Sequence, residues 1–134
     1  MKKIILTTSK KKQIVDITDK INRVLVKSKT KDGLCHLFLP HSTAGLTTGY
    51  LHADKELDLI DALDVVLPHH AIVGRRYEHS HIASRLPDHI ISSFLGISLA
   101  IPIVDGKLAL GEFQRIVLVE LNGPRKRTVV LHYG

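Results

Sequence analysis

The 134-residue chain has little of what marks several common classes of protein. Its single cysteine, Cys35, excludes an internal disulfide bond, and the apolar run around it predicts a buried, inert thiol. No apolar run approaches the roughly 18 residues that a membrane-spanning helix needs. The apolar stretch that follows Lys2 and Lys3 is also too short for the core of a secretory signal. We therefore expect a cytoplasmic protein with no membrane partner.

Aromatic and amide side chains are scarce as well. With three Phe, three Tyr and no Trp, the chain has few rings that could stack on nucleic-acid bases. Its net charge is +6, but the basic residues are spread along the sequence, so we do not expect a nucleic-acid partner. The same charge is compatible with a small phosphorylated metabolite. Only two Asn and two Gln occur, which is a feature of proteins from thermophiles.

Several motifs that bind nucleotides or metals are absent from the sequence. It has no Walker A loop, no Gly-x-Gly-x-x-Gly, no His-Glu-x-x-His and no paired-cysteine zinc motif. These absences exclude P-loop nucleotide hydrolysis, Rossmann dinucleotide chemistry and zincin proteolysis.

The sequence pattern predicts an α+β fold with an antiparallel sheet and two short helices packed on it. β-branched and apolar residues predict strands over residues 2–9, 18–30, 34–39, 97–104, 107–110, 115–121 and 128–133. Asp-Gly and Asn-Gly-Pro sequences predict turns between strands. Helices are expected over residues 53–67 and 88–95, the second ending at Gly96. No repeat or linker interrupts the pattern, so we expect a single domain over residues 1–134.

Histidine is the residue type that points to chemistry. There are nine histidines, and five of them fall between positions 69 and 89. Neutral imidazole is the commonest protein ligand for zinc, and three ligands with an open position make a catalytic metal site. Each histidine taken alone is better explained as solvated or as making ordinary hydrogen bonds. The cluster as a whole favours a metal or catalytic role.

Hydroxyl, guanidinium and carboxylate groups could serve a phosphorylated ligand. Ser42 and Thr43 offer hydroxyl donors, as do Ser92 and Ser93, and arginines at 125 and 127 could add charge-assisted hydrogen bonds. Turn chemistry for the hydroxyls and solvated surface for the arginines explain the same residues equally well. Three aspartates, Asp58, Asp61 and Asp64, could hold Mg²⁺ against a pyrophosphate, or could simply form a solvated helix face.

Short blocks of sequence resemble a known family. They are His41-Ser42-Thr43-Ala44, Tyr77-Glu78-His79, and the segments at 89–98, 102–108, 111–114 and 123–127. In this order they resemble the YjbQ-type family, known as the secondary thiamine-phosphate synthase family. The motifs cover residues 33–134. The chain departs from the family pattern at Tyr50-Leu51-His52 and at Phe113, where many members have Glu-Asn-Glu and Trp.

The resemblance implies a homotrimer with a histidine-lined site that binds a divalent metal, zinc or magnesium. Self-association is also expected because the strand segment Ile116 to Leu121 is apolar on both faces, which two short helices cannot cover. The implied metal ligands are His41, His79, His89 and Asp58. The implied catalytic residues are His41, Ser92 and Gln114. The implied substrate-binding residues are Ser42, Thr43, Arg125 and Arg127.

The reaction that the resemblance implies joins a hydroxymethylpyrimidine diphosphate to a thiazole phosphate and releases pyrophosphate. Two alternatives remain open from the residues alone. The same histidines could activate water in a metal-dependent hydrolase of a phosphorylated or lactone-like metabolite. The chain could also be a non-enzymatic metal-binding trimer.

Overall fold

The computed structural model describes residues 1–50 and 86–134 of the chain. In these ranges the first half holds β1 (Lys2–Thr7), β2 (Gln13–Asp16), α1 (Thr18–Ser28), β3 (Gly33–Phe38) and β4 (Ala44–Gly49). The second half holds α2 (Leu86–Leu95), β5 (Ser98–Val104), β6 (Lys107–Leu108), β7 (Arg115–Glu120) and β8 (Lys126–Tyr133). The fold is therefore α+β, as the sequence predicted.

The strands form two antiparallel sheets. The five-stranded sheet has the order β1-β8-β3-β5-β6, and the three-stranded sheet has the order β2-β7-β4. In the smaller sheet Ala44 of β4 pairs with Glu120 of β7, and Gly49 pairs with Arg115. The start of β4 therefore lies beside the end of β7, and the links that lead into β4 and out of β7 meet there.

The main hydrophobic core lies between the two sheets and is closed by α1. Alternate residues of each strand point inward, as Cys35 and Leu37 do from β3 and Ile116 and Leu118 do from β7. Burial raises the pKa of the Cys35 thiol to about 11, so it stays protonated and inert at neutral pH. The predicted buried, inert cysteine is confirmed.

Helix α2 (Leu86–Leu95) covers the other face of the three-stranded sheet. Its Ile91 and Leu95 pack against Val117 and Val119, which point away from the main core. The helix comes so close to β4 that a Cβ added at Gly45 would lie 2.5 Å from the Leu95 Cβ. Strand β7 is thus apolar on both faces because its own chain covers both, and its pattern does not call for a second subunit.

The strand predicted over residues 18–30 is wrong, because this segment forms α1. Ile17, Ile21 and Leu25 recur at helical spacing and are fully buried, whereas Val26, part of the apparent alternation, is exposed. The Asp16 carboxylate accepts a hydrogen bond from the Thr18 N–H at 3.0 Å and so satisfies an amide of the first turn.

Most other predicted elements are confirmed within two or three residues. They are the strands at the start of the chain, at 34–39, 97–104, 115–121 and 128–133, and the helix at 88–95. Asp105 and Gly106 both have positive φ, as expected of a tight hairpin turn. Strands β2 and β4 were not predicted, and the predicted helix over 53–67 lies outside the described residues. Neither of the two described helices is long and apolar enough to cross a membrane.

Candidate functional site

A cavity of about 320 Å³ opens where β3 leads into β4 and β7 leads into β8. The two links contribute most of its wall, and the first turn of α2 contributes one side chain. The described residues that line it are Pro40, His41, Ser42, Thr43, His89, Asn122, Arg125 and Arg127. The described wall holds two arginines and two histidines but no carboxylate, so it suits an anion better than a cation.

A buried ion pair supports the floor of this cavity. Glu120 and Arg127 are both buried, and the Arg127 Nε lies 2.9 Å from the Glu120 Oε1 while Nη2 contacts Oε2. The Thr8 hydroxyl donates a third hydrogen bond to Oε1 at 2.6 Å. Burial alone would raise the pKa of Glu120, but the hydrogen bonds from Arg127 and Thr8 outweigh it and hold that pKa below its usual value. The pair is therefore ionised at neutral pH.

The ion pair also holds Thr43 in the cavity wall. Arg127 Nη2 donates to the Thr43 carbonyl at 3.0 Å and to the Thr43 Oγ1 at 2.8 Å. A guanidinium only donates, so the Thr43 hydroxyl is the acceptor in that contact and keeps its own proton. Thr43 can therefore donate a hydrogen bond to a ligand oxygen.

Arg125 lies on the rim of the cavity and its backbone is fixed to β1. Its N–H donates to the Thr8 Oγ1 at 2.9 Å, and its carbonyl accepts from the Thr8 N–H at 2.9 Å. The side-chain Nε donates to the Asn122 carbonyl at 2.8 Å, which draws the guanidinium over the link between β7 and β8. Within the described parts of the chain Arg125 has no acidic partner. Its positive charge is the one that the described site leaves uncompensated.

His41 is half-buried and is attached to β8 through its ring. Its Nε2 accepts a hydrogen bond from the Thr128 N–H at 3.0 Å. Burial lowers the pKa of His41, and the nearby positive charge of Arg127 lowers it further. His41 is therefore neutral at pH 7.

The remaining histidine and a serine connect α2 to the cavity. His89 is half-buried in the first turn of the helix and lines the cavity. Ser92 is buried one turn later, and its Oγ lies 2.7 Å from the Ser42 carbonyl and 2.9 Å from the His89 carbonyl. Its hydroxyl is thus directed at backbone oxygens, and it ties the helix to the link that carries His41.

The fold brings six of the predicted site residues to one cavity and places others elsewhere. The six are His41, Ser42, Thr43, His89, Arg125 and Arg127. Gln114 lies at the opposite end of β7, roughly 20 Å from the cavity at about 3.4 Å per residue. There its Oε1 accepts the Gly111 N–H at 2.7 Å. His79 and Asp58 lie outside the described residues.

Sequence reasoning missed the groups that support the cavity. Glu120 gave one signal, since it is the single acidic residue in a strand that is otherwise apolar from residue 116. A buried carboxylate needs a buried cation, and that requirement points to a basic residue nearby such as Arg127. Thr8 and Thr128 gave no comparable signal, because their hydrogen bonds join residues far apart in the chain.

The described residues do not form the predicted metal site on their own. Within residues 1–50 and 86–134 no group of three His, Cys, Asp or Glu side chains is close enough to share an ion. A metal ligand must offer a free nitrogen lone pair, and His41 already uses that of Nε2 to accept the Thr128 N–H. His41 therefore does not fit the ligand role, while the side chain of His89 makes no hydrogen bond in the described structure.

Comparison with known proteins finds relatives over nearly the whole chain. The family described as UPF0047 protein YjbQ-like matches residues 2–134. A UPF0047 protein of Archaeoglobus fulgidus is 33% identical over 126 residues, 94% of either chain. One from Methanocaldococcus jannaschii is 36% identical over 124 residues, covering 91% of this chain and 85% of its own.

Solved structures match as well. An uncharacterized conserved protein of the YjbQ/UPF0047 family from Clostridium acetobutylicum has a TM-score of 0.86 at 32% identity, with all of both chains covered. A hypothetical protein from Aeropyrum pernix has a TM-score of 0.87 at 28% identity, covering 99% of this chain and 96% of its own. The arrangement of sheets and helices is thus shared across these proteins.

Proposed function

The chain belongs to the YjbQ-like UPF0047 family, as its sequence motifs predicted, and on that premise we propose that its cavity binds a diphosphate ester. The reaction we propose joins a hydroxymethylpyrimidine diphosphate to a thiazole phosphate. One observation carries the proposal: the described wall of the cavity has hydrogen-bond donors and an uncompensated Arg125, with no carboxylate facing them. Such a wall attracts phosphate oxygens.

The proposed chemistry needs stabilisation of the charge on the leaving pyrophosphate. It does not need a nucleophile from the protein, because the thiazole nitrogen attacks the carbon. The bond between the pyrimidine methylene carbon and the diphosphate oxygen breaks, and pyrophosphate leaves with the electron pair. The thiazole nitrogen then forms a new bond to the same carbon. Donors fixed in advance around the leaving group lower the barrier, because they are already oriented when the charge develops.

The residues in and beside the cavity have different roles in the proposed reaction. The guanidinium of Arg125 and the hydroxyls of Ser42 and Thr43 bind the diphosphate oxygens. Arg127 acts mainly through Thr43, because its Nε and Nη2 are occupied by Glu120 and Thr43. Ser92 positions the link that carries Ser42 and does not touch the ligand.

One described residue of the predicted set, Gln114, stands apart from this cavity. Gln114 is not part of the site that one subunit forms. A divalent cation, zinc or magnesium, enters the proposal only through His89 together with His79 and Asp58. When bound, it would help to neutralise the diphosphate.

Measuring pyrophosphate release tests the proposed function. The purified chain is incubated with the pyrimidine diphosphate, with and without the thiazole phosphate, and both pyrophosphate and the coupled product are quantified. We expect release that depends on the thiazole phosphate and is lost in Arg125→Ala. Release without the acceptor would favour a metal-dependent hydrolase of phosphorylated or lactone-like metabolites. No release, together with retained metal, would favour a non-enzymatic metal-binding trimer.

Assembly as a homotrimer in the cytoplasm is part of the same proposal. The outer face of the five-stranded sheet supports association between subunits, because no element in the described residues covers that face. Apolar side chains are exposed along it on four positions of three strands, namely Ile5, Leu34, Phe38 and Val104. Apolar area of this kind is a common feature of subunit interfaces.

A further inference from the structure

We infer that His41 is a hydrogen-bond donor to a phosphate oxygen through its Nδ1–H group, and that it is not a metal ligand. The inference deepens the proposed function and rests on the diphosphate site proposed there. It assigns His41 a role that differs from the metal-binding role that the family resemblance implies.

The direction of one hydrogen bond determines which ring nitrogen of His41 carries the proton. The Thr128 backbone N–H can only donate, so the His41 Nε2 that lies 3.0 Å away must accept. An accepting nitrogen carries no proton and has its lone pair engaged. A neutral imidazole has one N–H, and it must therefore lie on Nδ1.

This hydrogen bond forms because the pairing between β3 and β8 ends before Thr128. Strand β3 pairs with β8 as far as Phe38, which lies opposite Val130. Pro40 follows and has no N–H, so pairing does not continue to Thr128. The His41 ring then takes the place of a strand neighbour for the Thr128 N–H. The Thr128 N–H, left unpaired by β3, thus fixes the His41 tautomer, and it does so whether or not a ligand is bound.

The ring of His41 belongs to a cavity wall that is rich in hydrogen-bond donors. His41 lines the cavity, and within the described residues its Nδ1 has no hydrogen-bond partner. The same cavity is lined by Thr43, whose hydroxyl can donate a hydrogen bond, and by Arg125, whose guanidinium can only donate. An Nδ1–H in this wall adds to a set of donors that a phosphate oxygen can accept from and a metal ion cannot use.

Two substitutions separate the roles of the two ring nitrogens. In His41→Asn the side-chain amide ends near the position of Nδ1 and keeps a donor there. In His41→Gln the longer side chain reaches the position of Nε2, where its carbonyl can accept the Thr128 N–H, but no donor remains at Nδ1. Pyrophosphate affinity is measured by calorimetry for both, and zinc affinity is measured with the metal alone.

We expect pyrophosphate binding in His41→Asn to stay within about threefold of the original chain and in His41→Gln to fall by about tenfold or more. Zinc affinity should be unchanged in both variants. Equal loss of pyrophosphate binding in the two variants, or loss of zinc binding in either, would overturn the inference. Thermal unfolding of each variant shows whether the fold survives.

Nitrogen NMR of the original chain provides a measurement that needs no variant. Long-range ¹H–¹⁵N correlations at pH 7.5 should show the His41 ring protonated on Nδ1, and adding zinc should leave its signals in place. An Nε2-protonated or zinc-shifted ring in a chain that binds pyrophosphate refutes this inference alone. A chain that does not bind pyrophosphate refutes the proposed function, and the phosphate role of His41 with it.

Discussion

Glu120 at the end of β7 and Arg127 near the start of β8 form a buried ion pair that joins the two sheets. Each charged group also has a neutral hydrogen-bond partner: the carboxylate accepts from the Thr8 hydroxyl, and the guanidinium donates to Thr43. A buried charge is costly unless it is paired and hydrogen-bonded, and here both requirements are met. The pair therefore links the stability of the fold to the shape of the cavity.

Removing one partner of this pair should strongly destabilise the fold. We expect Arg127→Ala to lower the free energy of unfolding by about 3–5 kcal/mol, because Glu120 would remain buried without its cation. The double variant Glu120→Leu with Arg127→Met should recover much of that loss. Urea unfolding monitored by circular dichroism measures both. A single variant as stable as the original chain would show that the pair carries no structural role.

Glu120 should also make the fold sensitive to acid. Its folded pKa lies below the ordinary value of 4.5, so its contribution to stability is present above that pH and is lost as the pH falls through the folded pKa. The stability of the original chain should decline below about pH 4.5. In Glu120→Gln the decline should be shallower. Urea unfolding at a series of pH values from 7 to 3 provides the comparison, and parallel curves would contradict it.

Local patterns explain which parts of the fold were predictable. β3 is a short, largely apolar run that ends before Pro40, and the Asp105-Gly106 turn needs the positive φ that its residues tolerate. α1 was mistaken for a strand because Val24 and Val26 suggested alternation. Its true signal, the spacing of Ile17, Ile21 and Leu25, becomes decisive only when the sheets that bury them are known.

The sequence motifs indicated residues that line the cavity, but they did not indicate the hydrogen bonds between those residues. The block around His41 and the block that ends at Arg127 line one cavity, although they lie far apart in the sequence. Arg127 stands in a basic run and was expected to face a phosphate, yet most of its donors bind Glu120 and Thr43. Long-range pairing of this kind depends on tertiary structure, which a single sequence pattern does not reveal.

Gly45 should be essential to the contact between α2 and β4. A Cβ there would lie 2.5 Å from the Leu95 Cβ, so Gly45→Ala must push the helix away from the sheet. We expect lower stability and weaker pyrophosphate binding, because the same helix carries His89 and Ser92. Gly49→Ala is the matched control on the same strand, since its added Cβ would lie 4.0 Å from the nearest atom, in Val117. Equal behaviour of the two variants would contradict the close packing at Gly45.

Arg125 should contribute to ligand binding without contributing much to stability. Losing a hydrogen bond to a charged group costs about 1.5–3 kcal/mol, so Arg125→Ala should weaken pyrophosphate binding by roughly 10- to 150-fold. Lys126→Ala removes the same charge from the next residue, which does not line the cavity, and serves as the control. Calorimetry distinguishes the two. Matching losses would mean that net charge, and not the position of Arg125, governs binding.

The outer face of the five-stranded sheet should hold the proposed trimer together. Phe38 lies in the middle strand of that sheet and is 44% exposed in the single chain, so a charge in its place would be buried at the interface. We expect the original chain to have three times the 14.9 kDa mass of one subunit in multi-angle light scattering, and Phe38→Asp to be monomeric. Val26→Asp changes an exposed apolar residue on α1, the helix that packs on the core side of this sheet and not on its outer face, and should leave the trimer intact. A trimeric Phe38→Asp variant would place the interface on another surface.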